Sequence, residues 1–300
     1  MAPKAAFDVA ILGAVPREII PLTQLLEGCQ VFLFRGQTTW LGKVAKLSVL
    51  LGTTGLGKVN AAITTASLLE HFSIAQVWNV GCAGAYSEGP LRVGDVLVTE
   101  KWFCGDEGVL TQDGALPVSA IGIPLIIDSG EEFFDHLPRR WKRDFEAVIE
   151  KTPPGEYRQK QGFPPSRAFS LSAEDRSDAQ NHPISEARSP AEFTANPRHQ
   201  DKDAFTVIHG PSLTVGMASG DPAVASERYR RFGAYAENME GSAVAQACLR
   251  FQVPAVECRG MSNLAGVRAK ETWQMEKSIA HCHNIIVDWL GILNTLKSLR

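Results

Sequence analysis

The sequence of 300 residues lacks the features that would place it outside ordinary globular proteins. It has no uninterrupted apolar run of about 18 residues, so no membrane span is expected. Residues 1–12 lack the long apolar segment and small-residue cleavage site of a secretory signal. Charge is nearly balanced, with 30 basic against 33 acidic residues. Nucleic-acid binding normally requires a basic excess or a basic stripe, so none is expected here.

Cysteine is also scarce. The six cysteines are widely scattered, with no C-x-x-C pair, and lie at positions 29, 82, 104, 248, 258 and 282. In a chain of this length that pattern indicates reduced, mostly buried thiols in a cytoplasmic protein. Hydrophobic residues make up 44% of the chain and charged residues 21%, a composition that excludes global disorder.

Short apolar segments alternate with helical patterns along most of the chain. The runs 9–12, 44–51, 75–80 and 93–98 predict strands. Between the second and third, residues 59–71 predict a helix whose apolar positions are Val59, Ala62, Ile63, Ala66, Leu69 and Phe72. Further strands are predicted at 213–217 and 255–259, and further helices at 223–232, 242–251 and 275–296. This alternation predicts a single α/β domain, residues 1–300, with a central mixed β-sheet flanked by helices.

Residues 151–205 interrupt the pattern. They hold seven of the 17 prolines, only two large aliphatic residues (Leu171 and Ile184), and eight basic against eight acidic residues. This composition predicts a long, polar, poorly ordered insertion within one fold. The alternative is that Phe163, Phe169, Phe193 and Phe205 hold it against the body.

Five short stretches combine glycine with polar residues at predicted strand ends: 13–18, 55–60, 79–85, 237–241 and 259–266. Each is weak alone. Lys58 is followed by Val59, so the second stretch is not a P-loop, and the G-x-G-x-x-G spacing of a dinucleotide site is absent.

Together and in this order, the five stretches resemble the nucleoside phosphorylase and nucleosidase superfamily. The most specific pieces are G-L-G-K-V-N-A-A at 55–62, N-M-E-G at 238–241 and R-G-M-S-N at 259–263. The resemblance covers 7–104 and 213–290. Within the superfamily the chain is most similar to the futalosine hydrolases, through N-V-G-C-A-G-A-Y at 79–86, G-D-E-G-V at 105–109 and a tail with Trp273.

The resemblance implies three principal roles. Glu240 matches the glutamate that binds the ribose 2′ and 3′ hydroxyls; otherwise it is an acid at a helix start. Glu18 matches the base that activates the attacking water; otherwise it is a solvated glutamate in a first helical turn. Asn263 stands where adenine-specific members have aspartate, and its amide suits a 6-oxopurine; otherwise it is a turn residue.

Four further residues are placed with the substrate. Met239 lies under the ribose or packs in the core, and Cys82 lies near the base or is an inert buried thiol. Gly84 shares the strand end of Cys82. Arg259 pairs with an acid near the site, Glu18 being one candidate.

Roles for three more residues stay open. Arg17 contacts a substrate carboxylate or solvent, Trp273 stacks on substrate or packs, and Asp106 is taken as a turn residue. His281 and His283, two apart on a helix, face different sides, so no metal site is expected.

The predicted function is hydrolysis of the N-ribosidic bond of futalosine, which releases hypoxanthine and dehypoxanthine futalosine in menaquinone biosynthesis. No metal or organic cofactor is expected, and a small-molecule nucleoside is the partner. The resemblance also implies a homo-oligomer. The alternatives are a methylthioadenosine/adenosylhomocysteine nucleosidase, against which Asn263 argues, a purine nucleoside phosphorylase, and a nucleoside-binding regulatory module without turnover.

Overall fold

The computed structural model describes residues 4–112, 114–139, 143–157 and 204–299. The interior of the predicted insertion, residues 158–203, lies outside the described residues. The two ends of the stretch belong to the sheet, because the strand Gly155–Tyr157 pairs antiparallel with the start of the strand Phe205–Thr214. Phe205 is buried, and its ring stacks on that of His281 with centroids 4.2 Å apart.

Eleven of the described strands form one mixed sheet, and six others form three two-stranded pairs. In chain order the strands are β1 (Ala6–Phe7), β2 (Val9–Gly13), β3 (Glu27–Phe34), β4 (Gln37–Val44), β5 (Leu47–Thr53), β6 (Ser73–Ile74), β7 (Val77–Ala85), β8 (Val96–Cys104), β9 (Val109–Thr111), β10 (Gly114–Leu116), β11 (Ile126–Asp128), β12 (Glu131–Phe133), β13 (His136–Pro138), β14 (Gly155–Tyr157), β15 (Phe205–Thr214), β16 (Ala236–Asn238) and β17 (Ala255–Leu264).

Six α-helices and three 3₁₀ segments complete the described elements. The α-helices are α1 (Pro16–Ile19), α2 (Lys58–His71), α3 (Arg143–Glu150), α4 (Pro222–Phe232), α5 (Gly241–Arg250) and α6 (Met275–Ser298). The 3₁₀ segments are Ile20–Leu25, Val118–Ile121 and Lys270–Thr272. No helix among the described residues is both long and apolar enough to span a bilayer.

Part of the large sheet closes on itself. The strand β17 pairs parallel with β7 and antiparallel with β8, while β8 pairs with β15, β15 with β16, and β16 back with β7. These five strands form a closed ring, from which β2, β5, β4 and β3 extend beyond β7. The predicted mixed sheet flanked by helices is confirmed, with ring closure added.

Both faces of the sheet are covered, which explains why its central strands are almost wholly apolar. On β2, Val9 and Ile11 face the cluster that includes Trp289 of α6. The alternate residues Ala10 and Leu12 face the cluster built from α2 and α5. Because successive strand side chains point to opposite faces, one apolar run serves both cores.

The helix predicted at 59–71 is confirmed, but of the apolar positions that indicated it, Leu69 and Phe72 are buried while others are exposed. Val59 and Ile63 are 71% and 57% exposed. The buried positions of the helix are Ala61, Thr64, Thr65, Leu68 and Leu69. Small side chains let α2 approach α5 closely, so packing partners override the apolar pattern.

Several predicted strands also have different limits: those at 75–80, 93–98 and 255–259 correspond to β7, β8 and β17, which end later, at Ala85, Cys104 and Leu264. The run 44–51 is divided by a turn, because Ala45 has a left-handed φ of +53°. That turn folds β4 antiparallel onto β5. The strand predicted at 213–217 ends at Thr214, and its described start is eight residues earlier at Phe205.

Candidate active site

Three chain segments converge on the carboxyl end of β7. The turn after β2 brings α1 to this end, and the last residues of β17 run beside β7 in parallel register, with Arg259 opposite Gly81. From the other side, β16 runs antiparallel to β7, with Glu237 opposite Gly84. Loops at strand ends are where ligands bind in such sheets.

Glu18 is held at this point by the turn that follows β2. Pro16 begins the helix, and Glu18 on its first turn reaches back, so that its Oε2 accepts hydrogen bonds from the backbone N–H of Ala14 (2.8 Å) and Val15 (3.2 Å). Its Oε1 accepts bonds from the backbone N–H (3.0 Å) and the thiol (3.4 Å) of Cys82. Glu18 is only 3% exposed. It is therefore not a solvated first-turn glutamate.

Glu240 lies directly before α5 and is also buried. Its Oε1 accepts a hydrogen bond from the backbone N–H of Gly57 (2.9 Å), and its Oε2 is 3.7 Å from Nη1 of Arg259. Burial raises the pKa of Glu240, although the Arg259 guanidinium and the Gly57 amide oppose that rise. Glu240 therefore lies at a helix start and also belongs to a cluster of charged side chains.

Gly81 is where Glu18 and Arg259 approach each other. A Cβ on Gly81 would overlap Oε1 of Glu18 and would lie 2.8 Å from Nη1 of Arg259. Only a glycine leaves room for both groups at this position. Among the described residues, the ion pairs of Arg259 are with Glu240 and Glu257; Glu18, named above as one candidate partner, is a neighbour and not the pairing acid.

Asn263 lies near the end of β17, half-buried, opposite Gly84 of β7. Its Oδ1 accepts a hydrogen bond from the Ser262 hydroxyl (2.8 Å), and its Nδ2 donates to the backbone oxygen of Leu264 (2.9 Å). These bonds fix the amide plane. They leave a second Nδ2 hydrogen and a second Oδ1 lone pair for another group.

Cys82 and Met239 are both half-buried beside these residues. The Cys82 thiol lies against the Glu18 carboxylate, and burial together with that charge raises the pKa of the thiol. A thiol of this kind stays protonated, which favours its interpretation as an unreactive group. Met239 directly precedes Glu240.

The three residues whose roles stay open differ in their surroundings. Arg17 is exposed on α1, and Trp273 donates its indole N–H to the backbone oxygen of Val267 (3.2 Å). Asp106 does more than form a turn: its carboxylate accepts from Nζ of Lys58 (2.5 Å) and from the backbone N–H of Gly216 (2.6 Å). It thereby ties the start of α2 to the loop after β15.

Sequence reasoning missed two buried acids, Glu257 and Glu237. Glu257 is fully buried, two residues before Arg259 on β17, and its Oε2 is 3.1 Å from Nη2 of that arginine. Glu237 pairs with Arg228 at 3.2 Å. The available signal was an acid two residues from an arginine within an otherwise apolar strand, a spacing that puts both on one face.

The two histidines of α6 bond to different elements. His283 donates to the backbone oxygen of Glu18 (2.8 Å), and burial lowers its pKa to about 4. His281 contacts the backbone oxygen of Gly94 (2.6 Å). Within the described part of the chain, no three His, Cys, Asp or Glu side chains lie close enough together to hold a metal ion.

Comparison with known proteins agrees with this arrangement. The family model described as the phosphorylase superfamily matches residues 8–290. The chain therefore belongs to the phosphorylase superfamily, as its motifs predicted.

Individual relatives carry more specific names than the superfamily does. The chain is 25% identical to a 5′-methylthioadenosine/S-adenosylhomocysteine nucleosidase of Geobacillus kaustophilus over 293 residues, 95% of this chain and 97% of the relative. It is 26% identical to one from Bacillus thuringiensis over 282 residues, 93% and 96% of the two chains. Both relatives are nucleosidases, the enzyme class predicted from the sequence.

A solved structure shows the same fold. The Colwellia psychrerythraea 5′-methylthioadenosine/S-adenosylhomocysteine nucleosidase in complex with adenine superposes with a TM-score of 0.68 at 22% identity, covering 97% of each chain.

Proposed function

We propose that the protein hydrolyses the N-ribosidic bond of a purine nucleoside, with water as the nucleophile. The proposal is carried by one observation: two buried carboxylates, Glu18 and Glu240, meet at the guanidinium of Arg259 on strand ends. Cleavage passes through a sugar with oxocarbenium character, and preorganised negative charge favours that cation.

Glu18 is the proposed base. Each of its oxygens already accepts two hydrogen bonds, and the weakest donor among the four is the Cys82 thiol. We expect a water to replace that thiol at Oε1, where Glu18 can take its proton as the oxygen attacks the anomeric carbon. The backbone bonds from Ala14 and Val15 hold the carboxylate in place meanwhile.

Glu240 is the proposed ribose ligand. One of its oxygens accepts from Gly57 and the other points towards Arg259, so each keeps a lone pair for a sugar hydroxyl. Accepting from the 2′ and 3′ hydroxyls would fix the ring and place negative charge below it. Met239, immediately before it, is the proposed apolar floor for the sugar.

Water is favoured over phosphate by the charge of this site. In the part of the chain that the structure describes, Arg259 forms ion pairs with Glu240 and Glu257 and lies near Glu18, so a single guanidinium offsets three carboxylates. An excess of buried negative charge repels a phosphate dianion. This argues against the phosphorylase alternative.

For the base we propose a 6-oxopurine, and futalosine as the substrate that the motif resemblance implies. Asn263 carries no titratable proton, so it cannot protonate an adenine leaving group. Its remaining N–H can donate to a 6-oxo group, and its remaining lone pair can accept from N7–H once N7 of the departing base has taken a proton from solvent. Gly84 lies opposite it on β7, and a Cβ at that position would lie 3.4 Å from Nδ2, in contact with the amide.

A second candidate is cleavage of 5′-methylthioadenosine or S-adenosylhomocysteine. It is favoured by the names of the relatives above, which span nearly the whole chain. In that case an amide replaces a proton donor, and we would expect slow turnover.

Base release decides between the two candidates. The purified protein and an Asn263→Asp variant would each be incubated with futalosine, inosine and 5′-methylthioadenosine, and the released base separated by chromatography. The proposal expects hypoxanthine from futalosine with the native protein, and a shift towards adenine release in the variant. Adenine released fastest by the native protein would establish the second candidate. Release from none of the three would favour the nucleoside-binding module.

We also propose a homo-oligomer. Three apolar side chains near the start of α2 are largely exposed in the single chain: Leu56, Val59 and Ile63. Light scattering at micromolar concentration tests this, with a charged substitution at Val59 expected to weaken the assembly and a monomeric native protein contradicting it.

A further inference from the structure

One buried carboxylate has no place in the chemistry proposed above. Glu257 is fully buried on β17, inside the closed ring of five strands. Its two oxygens accept five hydrogen bonds, one from a side chain of each strand of the ring. The donors are Asn79 of β7 (3.0 Å), Thr99 of β8 (2.9 Å), Ser212 of β15 (2.8 Å), Asn238 of β16 (3.2 Å) and Arg259 of β17 (3.1 Å).

The surrounding backbone leaves this carboxylate no alternative position. A Cβ on Gly241, at the start of α5, would overlap Oε2 of Glu257 and lie 2.9 Å from Oε1. A carboxylate with five donors is well compensated for the loss of water, so it can remain charged within the protein. Glu257 is thus a fixed negative charge at the centre of the ring.

The bond from Arg259 connects this charge to the proposed site. Glu257 forms its ion pair with Nη2 of the guanidinium. The other nitrogen, Nη1, is directed at Glu240 and at the space above Gly81, where Glu18 lies. The guanidinium therefore has its closest ion pair on the interior side. It neutralises Glu240 only in part, since that separation is 3.7 Å.

We propose that Glu257 is a positioning residue for N-ribosyl hydrolysis, which holds Arg259 from within the ring so that the guanidinium offsets only part of the negative charge that Glu18 and Glu240 present to the ribosyl cation. This inference rests on the proposed function. If Glu257 lost its charge, the guanidinium would turn its whole charge to Glu240 and Glu18 and weaken the field that favours the cation. The transition state would lose more than the bound substrate, which carries no such charge.

The test is a double-mutant cycle on the nucleoside that the native protein cleaves best. Glu257→Gln should lower kcat by at least about tenfold with KM changed by less than about threefold, because the lost interaction is with the transition state. Since Glu257 acts through Arg259, the double variant Glu257→Gln/Arg259→Gln should be no slower than Arg259→Gln alone.

Thr99→Val is the matched control. It removes one donor from the same carboxylate and keeps both the charge and the arginine contact, so it should lower the melting temperature with a smaller loss of kcat than Glu257→Gln. If Glu257→Gln does not fold, Glu257→Asp keeps the charge but shortens its reach to Arg259, and the same split between kcat and KM is expected.

Three results would overturn the inference while hydrolysis itself stands: a folded Glu257→Gln variant with native kcat, losses that multiply in the double variant, or a kcat loss in Thr99→Val equal to that in Glu257→Gln. A native protein that cleaves no nucleoside would instead refute the proposed function, and this role with it.

Discussion

Within the described ranges of the chain, two carboxylate–arginine clusters are buried, one around Arg259 of β17 and one around Glu237 of β16, and they differ in charge balance. Around Arg259 there are three acids, Glu18, Glu240 and Glu257, and the arginine side chain is 1% exposed. Around Arg228 the paired acid is Glu237 alone, and this arginine side chain is 14% exposed.

The partners of the second cluster explain its balance. Glu237 accepts from the backbone N–H (2.7 Å) and hydroxyl (2.6 Å) of Ser219 and from the Tyr86 hydroxyl (3.0 Å). Burial and the Glu237 charge raise the pKa of Tyr86, which stays a donor. In this cluster one acid, Glu237, and one base, Arg228, together with neutral hydrogen-bond donors, stabilise the loop that contains Ser219. The excess of acid in the Arg259 cluster instead suits a site that receives a cation.

The largest effect is expected from Glu18→Gln in the unbalanced cluster. The variant keeps the shape of the side chain and loses the proton acceptor, so kcat should fall by about 10²- to 10⁴-fold. Rapid-quench or steady-state base release measures kcat, and equilibrium binding of the nucleoside should change little. Native turnover in this variant would remove Glu18 from the mechanism.

Glu237→Gln tests the cluster around Arg228, in which one acid balances one base. It should lower the free energy of unfolding more than kcat, the reverse of the effect expected from Glu18→Gln. Breaking a buried ion pair by changing one partner leaves Arg228 uncompensated, with an expected cost of about 3 to 5 kcal/mol in the free energy of unfolding. Urea denaturation measures that loss. The comparison would fail if this variant lost kcat as severely as Glu18→Gln while keeping native stability.

The pH dependence of the free energy of unfolding tests the role of His283, which donates a hydrogen bond to the backbone oxygen of Glu18. Burial lowers the pKa of His283 from 6.5 to about 4. The unfolded chain therefore takes up a proton as pH falls below 6.5, while the folded protein does not until about pH 4. The stability conferred by neutral His283 is present above pH 6.5 and is lost towards pH 4, by about 3 kcal/mol.

His283→Gln is the control for that prediction, because glutamine can still donate to the Glu18 backbone oxygen and does not titrate. Its stability should fall less between pH 6.5 and pH 4 than that of the native protein. Parallel curves for the two proteins would contradict the assignment.

The smallest effect is expected at an ion pair nearer the surface. Lys58 contacts Asp106 and Glu107, with side chains 22%, 29% and 37% exposed. Such pairs contribute at most about 1 kcal/mol, so Lys58→Met should shift the urea midpoint slightly. A loss comparable to that of Glu237→Gln would show that charge balance is not what separates the clusters.

The fold and the site also differ in how well they could be predicted from the sequence. Local patterns predicted the helix over 59–71 and the superfamily, because G-L-G-K-V-N-A-A and N-M-E-G are contiguous. The apolar pattern did not show which positions are buried, since Thr64 and Thr65 are buried while Val59 and Ile63 are exposed. Hydrophobicity alone does not reveal which neighbour a helix meets.

The candidate residues from the motifs converge in the structure, but the group that links them was not among them. Glu257 receives one bond from Arg259 on its own strand and four from other strands, and those four contacts exist only once the ring has closed. Its single local signal was the i, i+2 spacing to Arg259. Side chains that act through space are therefore the part that sequence pattern predicts least.

The central claim is that an acid-rich site directs water, and not phosphate, to the anomeric carbon. The most direct measurement is the initial rate of base release by the native protein across a phosphate titration, with the sugar product identified by mass. We expect a rate independent of phosphate and a free sugar product. A rate that rises with phosphate, together with a sugar 1-phosphate, would contradict the account.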